Sequence, residues 1–403
     1  MKILQLCIRV PFPPSDGATI AMYNISKAFY ESGTQLKILA FNTNKNYVPE
    51  EKISKEFREH TQMETVSIDL TVKILPAFLN LFTKDSYNVS RFFSKEFNDK
   101  LKKILPENNY DIVHLEGLYV TPYMETIRKF SKAKIVLRSH NVEFIIWERL
   151  AASVKNPFRK KYLEFLAKRL KQYETGLLNK YDAIVPITPV DQKIFESLGC
   201  TIPVKASPLG VDVKDYPFET KAPAEFSIFH LGSMDWMPNL EAVDWFLTNV
   251  YDRLIKKMPG IKIYLAGKDM PQRIKQMASK NLIVMDRIED SKGFMKDKGV
   301  MIVPLLSGGG MRVKIIEGMA SGKTIVSTTV GAEGINYTHE KDILIADTPD
   351  DFISSIEKLQ DDKNLFSSIS ENARKLAGNE YDNKIIGKEL LEFYKGLISS
   401  EYP

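Results

Sequence analysis

The feature that most constrains the fold of this sequence is an alternation of short apolar runs with amphipathic helical patterns. It begins with KILQLCI at residues 2–8, continues with an amphipathic segment at 18–32 and returns to an apolar run, QLKILAF, at 35–41. Short apolar runs bounded by turn residues are typical of buried strands, and strand, helix and strand in succession form a βαβ unit. The strands of such a unit run parallel, so the sequence predicts an α/β fold built on a parallel sheet.

The alternation starts again after a proline-rich segment at residues 201–219. Such a segment is typical of a connection between domains. Two successive sets of strands and helices therefore predict two domains. Further strands are predicted at 111–117, 134–140, 182–188, 226–232, 261–267, 281–287, 299–305 and 324–329, and further helices at 91–105, 158–179 and 239–257.

The predicted architecture is a pair of doubly wound, Rossmann-like domains that face each other across a cleft. A chain of 403 residues is too long for a single core. We place the N-terminal domain at 1–205 and the C-terminal domain at 206–384, and we expect a terminal helix at about 385–403 to pack back on the first domain. Ligands of doubly wound sheets bind beyond the carboxyl ends of the strands, so the cleft is the expected site.

The N-terminus and the apolar stretches indicate a cytoplasmic protein. The opening run MKILQLCIRVPFPP breaks at prolines and is predicted to be a strand, not a signal peptide. The apolar stretch at 72–82 is too short to cross a membrane. Cys7 and Cys200 lack the spacing of metal ligands, and reduced thiols are the favoured interpretation.

Charge is distributed unevenly along the chain. Residues 1–200 carry a net charge of +8, whereas residues 201–403 carry −3. This asymmetry indicates an anionic partner on the first domain. For RKKYLEFLAKRLK at 159–171 we favour a solvated helix face, and peripheral contact with the inner face of the membrane is the alternative. A nucleic-acid partner is not expected, because no recognised binding fold or aromatic-basic pattern occurs.

The sequence SGKT at 321–324 resembles the end of a phosphate-binding P-loop, but its surroundings exclude that function. The P-loop pattern requires a glycine where this chain has Glu317. Apolar residues recur at helical spacing before SGK, and the β-rich run TIVSTT follows it. This order predicts helix, turn and strand, with Gly322 ending the helix. Because a helix C-terminus repels phosphate, we expect any phosphate site at the other end of this helix, beside residues 307–310.

The segment SGGGMRVKIIE at 307–317 is the densest group of candidate binding residues. Its glycine triplet, 308–310, lets the backbone approach a ligand and point N–H groups at an anion. Arg312 adds a forked cation suited to a diphosphate, and Lys314 adds a point charge. Glu317 follows about two helical turns later on a similar face, where a carboxylate could hold the vicinal hydroxyls of a ribose.

Two polar segments at strand ends of the first domain are further candidates. In the loop at 10–18, Asp16 or Ser15 caps the following helix, or the loop contacts substrate; both interpretations remain open. His140 closes the strand pattern at 134–140 within the polar cluster RSHNVE. It is either a satisfied structural histidine or a residue that faces the cleft and polarises a substrate oxygen, and we favour the second.

Several enzyme classes lose support because their motifs are absent. The sequence contains no D-x-D motif, no His/Cys metal cluster, no G-x-S-x-G motif and no G-x-G-x-x-G motif after the first strand. A metal-dependent phosphoryl transferase, a serine hydrolase and a dinucleotide enzyme are therefore disfavoured, and no metal site is predicted.

Together these segments resemble the retaining glycosyltransferases of the GT-B fold, in particular the large bacterial group one family, also called family four. The resemblance covers nearly the whole chain and is most specific at residues 304–335, PLLSGGGMRVKIIEGMASGKTIVSTTVGAEGI. The opening loop and helix resemble the family's acceptor-side loop, which here contains Asp16 and Gly17. PLGVD at 208–212 resembles part of its domain-crossing segment, and FHLGSMDWMPNLEAVDWF at 229–246 the start of its nucleotide-binding domain.

The resemblance also implies roles for single residues. Glu317 aligns with the second of two family glutamates and is expected to hold the nucleotide ribose, whereas the first aligns with Gly309 and is absent here. The family's Arg and Lys after the first strand of the second domain are also absent. Arg312, together with Lys314, is expected to replace them, as in a GGG-x-R-x-K branch. The implied catalytic residues are His140, Arg312 and Glu317, and the implied donor-binding residues are Gly232, Ser233, Gly308, Gly309, Gly310, Met311, Lys314 and Arg287.

The function implied by the resemblance is transfer of a glycosyl group from a nucleotide diphosphate sugar, with retention of configuration and without a metal or other cofactor. The implied acceptor is a glycan, a lipid-linked molecule or another acceptor in the synthesis of cell-surface polysaccharide or glycoconjugate. Two alternatives are a nucleotide-sugar epimerase or hydrolase of the same fold, and a non-catalytic homologue that binds nucleotide sugar.

Overall fold

The computed structural model describes most of the chain, namely residues 1–71, 86–154, 156–218 and 225–399. The apolar stretch at 72–82 lies outside the described residues. No helix within the described ranges is both long enough and apolar enough to cross a membrane. The chain divides into two compact units, the first comprising Met1–Leu209 with Ile386–Pro403 and the second comprising Gly210–Ile385.

The first unit is built on a parallel sheet with six strands in the described residues, in the order β3-β2-β1-β4-β5-β6. The strands are β1 (Lys2–Cys7), β2 (Gln35–Thr43), β3 (Glu64–Ile68), β4 (Ile112–Glu116), β5 (Lys134–Ser139) and β6 (Ala183–Pro186). The helices described here are α1 (Gly17–Glu31), α2 (Lys55–Thr61), α3 (Tyr87–Ser90), α4 (Lys95–Glu107), α5 (Met124–Phe130), α6 (Glu143–Ser153), α7 (Pro157–Leu177) and α8 (Pro189–Ser197).

The second unit repeats this plan with the strand order β12-β11-β10-β7-β8-β9. Its described strands are β7 (Ser227–Leu231), β8 (Lys262–Ala266), β9 (Leu282–Met285), β10 (Val300–Val303), β11 (Thr324–Ser327) and β12 (Leu344–Ile345). Its helices are α9 (Met237–Phe246), α10 (Asp252–Lys257), α11 (Gln272–Lys275), α12 (Ser291–Lys296), α13 (Val313–Ala320), α14 (Pro349–Asp361) and α15 (Lys363–Glu380), and they are followed by the terminal helix α16 (Asn383–Ile398).

The two doubly wound α/β units confirm the predicted fold class, and each strand predicted from the sequence is present. The two strands that the sequence did not predict, β3 and β12, both lie at sheet edges. β3 is partly exposed and polar, and β12 has only two residues, so neither forms an apolar run. The helix predicted at 239–257 is divided, because a π-helical turn at Leu247–Tyr251 separates α9 from α10.

The turn after α13 confirms the predicted order of helix, turn and strand around SGKT. Gly322 has φ = +64° and donates its N–H to the carbonyl oxygen of Met319 at 2.9 Å. Lys323 donates to the carbonyl oxygen of Gly318 at 2.8 Å, which completes the pair of hydrogen bonds typical of a glycine-terminated helix. β11 begins directly afterwards, so this segment presents a helix C-terminus and not a P-loop.

In both sheets the strand order reverses beside the first strand of the unit. β1 lies between β2 and β4, and β7 lies between β8 and β10, with all of these pairs parallel. At each reversal, between β1 and β4 and between β7 and β10, the helices that follow the two strands wind away in opposite directions. The carboxyl ends of these strands therefore stay uncovered. Ligands bind at such reversals in doubly wound sheets. The topology therefore singles out the loops that follow β1, β4, β7 and β10.

The terminal helix α16 completes one face of the first sheet. Alternate residues of β1 point to opposite faces, and Ile3 and Cys7 share their apolar cluster with Leu390 and Tyr394 of α16. Both α16 side chains are fully buried. The helix can approach α1 closely because residue 387 is a glycine.

Gly387→Ala is expected to destabilise the first unit. A Cβ at this position would lie 2.5 Å from the Cβ of Ala28, and overpacking of this kind costs about 1–3 kcal/mol. The higher helix propensity of alanine offsets about 1 kcal/mol of that cost. Urea denaturation followed by circular dichroism measures the change.

The matched control is Gly378→Ala in α15, where nothing lies within 4 Å of an added Cβ. This substitution should raise stability by up to about 1 kcal/mol, because only the helix propensity changes. Higher stability than the parent in both variants would contradict the close approach of α16 to α1.

Candidate functional site

The loop after β10 is packed tightly by two glycines in left-handed conformations. Gly308 has φ = +104° and Gly310 has φ = +77°, values that other residues rarely adopt. A Cβ on Gly308 would lie 3.0 Å both from the Arg312 guanidinium and from the Trp236 ring. Glycine at 308 is therefore needed for the backbone conformation and for the close contact with these two side chains.

Arg312 immediately precedes α13 and folds back on this loop. Its side chain is buried, and Nη1 donates to the carbonyl oxygens of Gly309 and Gly310. Its guanidinium carbon lies 5.2 Å from the centroid of the Trp236 ring, where a cation is attracted to the aromatic face. These hydrogen bonds stabilise the glycine loop next to the N-terminal backbone N–H groups of α13.

Lys314, in the first turn of α13, reaches the carboxyl end of the neighbouring strand β7. Its Nζ donates to Asn239 Oδ1 at 2.8 Å and to the carbonyl oxygen of Leu231 at 3.3 Å. Burial, and secondly the nearby charge of Arg312, lower the pKa of Lys314 to about 7. The amine of Lys314 therefore lies at the end of β7, although the loop that follows β7 supplies neither Arg nor Lys at residues 233–239.

Gly232 and Ser233, predicted to bind the donor, form the turn directly after β7. A Cβ on Gly232 would lie 2.7 Å from the Asn239 amide, and a Cβ on Gly267 would collide with the carbonyl oxygen of Gly232. The Gly232 N–H donates to Ala266, whereas the Ser233 carbonyl accepts from Asn239 Nδ2 at 2.8 Å. Close packing therefore explains the glycine at 232, and its backbone N–H is already used.

Glu317 lies on the second turn of α13 and accepts a hydrogen bond from Tyr216, with 2.9 Å between Tyr216 Oη and Glu317 Oε1. Burial raises the pKa of the Glu317 carboxyl, although this hydrogen bond and the charge of Lys292 oppose the shift. The Lys292 ammonium lies 4.3 Å from the centroid of the Tyr216 ring. Within the described ranges, no three His, Cys, Asp or Glu side chains are grouped so that they could hold a metal ion.

Two other predicted donor-binding residues differ in exposure. Met311, which follows the glycine triplet in the sequence, is buried. Arg287 donates from Nε to Glu289 at 2.9 Å, and 65% of its side chain is exposed. Solvent screens a charge in that position. Arg287 therefore differs from Arg312, Lys314 and Glu317, whose side chains are shielded from solvent.

In the first unit, His140 follows β5 and is partly buried, with 11% of its side chain exposed. Its Nε2 lies 2.7 Å from Oε2 of Glu116, the last residue of β4. Glu116 is fully buried and also accepts hydrogen bonds from Gln5 Nε2 and His114 Nε2, each at 2.8 Å. Burial opposes the charge of Glu116, but the two histidines hold its pKa well below the usual range.

This buried cluster extends to two helices. Ser26 of α1 donates to Gln5 Oε1 at 2.8 Å, and the hydroxyl of Tyr394 on α16 lies 2.6 Å from His114 Nδ1. Arg138 of β5, also buried, donates to the carbonyl oxygen of Pro208 at 3.4 Å. His140 is thus the least buried member of a polar layer that lies otherwise inside the unit.

Asp16 caps α1. Its carboxylate accepts from the N–H groups of Ala18 and Thr19 and forms an ion pair with Arg9. The capping interpretation therefore describes Asp16 in this structure. Gly17 is the first residue of α1, and nothing lies within 4 Å of a Cβ built on it.

Sequence reasoning missed Tyr216, Lys292 and Glu116 as site residues. Tyr216 belongs to the segment interpreted only as an interdomain connection, and Lys292 belongs to no motif. A signal for Glu116 was present, because IVHLE alternates apolar with ionisable residues in a fully buried strand. Buried ionisable residues at a strand end are candidates for a binding site.

Comparison with known proteins gives a family match within the second unit. Residues 225–362 match the family model described as Glycosyl transferases group 1. A protein of Klebsiella pneumoniae, described as an uncharacterized 44.6 kDa protein in cps region, is 25% identical over 294 residues, which cover 71% of this chain and 74% of that protein. The family match confirms the resemblance predicted from the sequence.

Solved structures share the fold at low sequence identity. Sucrose-phosphate synthase from Thermosynechococcus elongatus has a TM-score of 0.72 at 13% identity, covering 99% of this chain and 100% of that chain. HepE of Anabaena in complex with UDP-glucose has a TM-score of 0.66 at 14% identity, covering 98% and 100%. TarM, whose S. aureus form was solved as a mutant with fondaparinux, α-GlcNAc-glycerol and UDP, has a TM-score of 0.65 at 13% identity, covering 98% and 100%. The fold is the α/β two-domain fold of GT-B glycosyltransferases.

Tyr216→Phe is expected to lower the free energy of unfolding by about 1–3 kcal/mol at pH 8 and by less at pH 5. The change removes the hydroxyl that donates to the partly buried Glu317 carboxylate, so the pKa of Glu317 rises further. A carboxyl group with a raised folded-state pKa destabilises the fold above its unfolded-state pKa, and protonation relieves this as the pH falls.

Urea denaturation at the two pH values measures the difference. The control is Tyr251→Phe, which removes a hydroxyl that lies 3.2 Å from Ser279 Oγ in an exposed setting, and it should change stability by less than about 0.5 kcal/mol. An equal loss for Tyr216→Phe at both pH values would contradict the assigned role of the hydroxyl.

Proposed function

We propose that this chain, whose residues 225–362 belong to the group 1 glycosyltransferases, transfers a glycosyl group from a nucleotide diphosphate sugar to an acceptor. The acceptor class proposed is a glycan or a lipid-linked molecule in the synthesis of cell-surface polysaccharide or glycoconjugate. The K. pneumoniae relative, described by its place in a cps region, supports this class. UDP-glucose in HepE, and UDP in TarM, support a nucleotide sugar as the donor.

The observation that carries this proposal is the position of the Lys314 ammonium. It lies beside the carbonyl oxygen of Leu231 at the end of β7, and Lys314 itself belongs to the helix that follows the β10 loop. These two loops flank the reversal of strand order, where doubly wound sheets bind ligands. A diphosphate at this place would meet the ammonium and the N-terminal N–H groups of α13 together.

The proposed chemistry is electrostatic stabilisation of the departing nucleoside diphosphate. Charge develops on the leaving phosphate as the glycosidic bond breaks, and preorganised donors stabilise that charge. Lys314 and the start of α13 would supply this stabilisation without a metal ion. Arg312 would contribute its positive charge and keep the glycine loop in shape through its bonds to Gly309 and Gly310.

Glu317 is proposed to hold the ribose of the nucleotide. It is a carboxylate on the same helix, about two turns beyond the glycine loop. Both of its oxygens can accept hydrogen bonds, and Tyr216 occupies Oε1, so Oε2 is available for a vicinal diol. The bond from Tyr216 fixes the orientation of the carboxylate.

Retention of configuration is proposed because the family resemblance implies it. In that reaction the acceptor hydroxyl attacks the same face of the sugar that the phosphate leaves, and the departing phosphate takes the acceptor proton. His140 is proposed to contact the sugar or the β-phosphate. A hydrolase or epimerase would instead need a pair of carboxyl groups that act as acid and base. Glu143 and the buried Glu174 are neighbouring carboxyl groups, but Glu174 accepts the backbone N–H groups that begin α6.

The direct test is a screen of the purified chain against nucleotide sugars, with and without glycan and lipid-linked acceptors, followed by mass spectrometry. Sugar transfer that requires an acceptor is the expected result. An epimerised donor or a free sugar formed without acceptor would favour the alternative enzymes. Binding without any turnover would favour a non-catalytic homologue, and the absence of binding would overturn the proposal.

Lys314→Met is expected to weaken UDP binding and to remove part of its pH dependence. Because the pKa of Lys314 is about 7, the ammonium loses its proton as the pH rises through this value. An anion that prefers the ammonium therefore binds up to about tenfold less tightly for each pH unit above 7. Titration calorimetry with UDP from pH 6 to 9 measures the trend.

The control for this titration is Lys256→Met, an exposed lysine of α10 that should leave the affinity unchanged. Subtracting the curve of the Lys314→Met protein removes the titration of UDP itself. The same pH dependence in the parent and in the Lys314→Met protein would show that Lys314 does not contact the diphosphate.

A peripheral membrane contact is proposed through the start of α7. Phe158 is 86% exposed and Tyr162 is 40% exposed, next to the exposed cations Arg159, Lys160 and Lys161. Aromatic rings enter the interface of a bilayer, and cations are attracted to anionic headgroups.

Flotation with vesicles tests this contact. Binding to phosphatidylglycerol vesicles, and much weaker binding to phosphatidylcholine vesicles, is the expected result. Phe158→Ser with Lys160→Glu should reduce binding at least about tenfold, because both an anchor and a cation are lost. The exposed pair Lys52→Glu with Lys132→Glu carries an even larger charge change and serves as the control; equal losses in the two proteins would exclude a site on α7.

A further inference from the structure

We infer that Glu116 is a positioning residue, which sets the tautomer of His140 so that Nδ1 is the ring nitrogen available to substrate. The inference rests on the proposed function for the identity of the substrate, but the tautomer itself is a property of the unliganded protein. Glu116 ends β4 and His140 directly follows the neighbouring strand β5, at the carboxyl edge of the first sheet. Their contact joins Glu116 Oε2 to His140 Nε2 across 2.7 Å.

The tautomer follows from the donors and acceptors of this contact. An ionised carboxylate only accepts hydrogen bonds, so the Nε2 of His140 must carry a proton. In the neutral ring Nδ1 is then an acceptor, which suits a sugar hydroxyl, and in the protonated ring it donates, which suits a phosphate oxygen. A histidine held in this way presents one defined nitrogen, as when a carboxylate orients a catalytic imidazole.

The direction of every bond around Glu116 agrees with its role as an acceptor. Ser26 Oγ lies 2.8 Å from Gln5 Oε1 and 2.7 Å from the carbonyl oxygen of Met22, and Gln5 Nε2 faces Glu116. Burial lowers the pKa of His114, and a neutral His114 that donates from Nε2 accepts the Tyr394 hydroxyl at Nδ1. These contacts agree with donors that point at Glu116 from three sides.

Other charged groups also surround His140. Arg138 of β5 precedes it by two residues and is buried. Glu143 begins α6, and its carboxyl interacts electrostatically with His140 while accepting a bond from Tyr119 at 2.7 Å. Glu143 belongs to the helix that follows, whereas Glu116 makes the direct hydrogen bond that selects the nitrogen.

The contrasting explanation is that Glu116 only stabilises the fold. A buried carboxylate with three donors contributes to stability whether or not it orients His140. The two roles differ in what they predict for the imidazole. A positioning role requires that the proton of His140 changes nitrogen when the carboxylate is replaced, and that turnover falls more than donor affinity.

The experiment is long-range ¹H–¹⁵N NMR of the full chain with labelled histidine, which distinguishes the two neutral tautomers. The chain has five histidines, and His140→Gln assigns the signal of interest. The parent should show the Nε2–H tautomer for the neutral ring of His140. In Glu116→Gln the amide can donate to Nε2, so the Nδ1–H tautomer should gain population.

Steady-state kinetics of the same variant give the second readout. Glu116→Gln should lower kcat about 10- to 100-fold, the range typical when partners that orient a metal-ligating histidine are changed, and the donor KM should change less than about threefold. The control Asp182→Asn makes the same carboxyl-to-amide change at the start of β6, where Asp182 accepts from the backbone of Ile135. It should leave the His140 tautomer and kcat unchanged.

Three results would overturn the inference: an Nδ1–H tautomer in the parent, an unchanged tautomer in folded Glu116→Gln, or an unchanged kcat in that variant. If Glu116→Gln does not fold, the tautomer of the parent still decides the first point. A tautomer shift in a chain without transferase activity would support the positioning role and count only against the proposed function.

Discussion

Reversal of the strand order beside the first strand of each sheet is the constraint on which the rest of this structure depends. The helices that follow β7 and β10 leave in opposite directions, so the carboxyl ends of these neighbouring strands are not covered by a crossover. A side chain at the start of α13 can therefore reach the end of β7. The ammonium of Lys314 lies in this opening, beside the carbonyl oxygen of Leu231. The residues that match the group 1 glycosyltransferase model include both strands.

Burial has different consequences for the ionisable side chains of the two units. In the second unit, desolvation shifts Lys314 and Glu317 towards their neutral forms, so an anionic ligand and a diol would restore interactions that folding removed. In the first unit, three donors keep Glu116 ionised despite complete burial. The first arrangement is suited to binding, and the second is suited to holding a neighbouring ring in one orientation.

Much of this arrangement could be predicted from the sequence. The sequence predicts that the glycine triplet lies at the start of a helix, and the triplet does precede α13; the predicted order of helix, turn and strand around Gly322 is also present. The sequence could not predict that Arg312 folds back on the loop, because a guanidinium on a flexible side chain has many accessible positions. Nor could it predict Tyr216, since the partner of a buried carboxylate 101 residues away leaves no local pattern.

The sequence by itself determined the number and type of the main strands and helices, because apolar periodicity reflects burial on one or both faces of an element. It also supplies glycine at 308 and 310, but only the structure shows that these positions have positive φ. Tertiary structure alone decided which polar side chains meet. Pairing of β1 with β4 brings Gln5, His114 and Glu116 together, and the packing of α16 on the first sheet adds Tyr394.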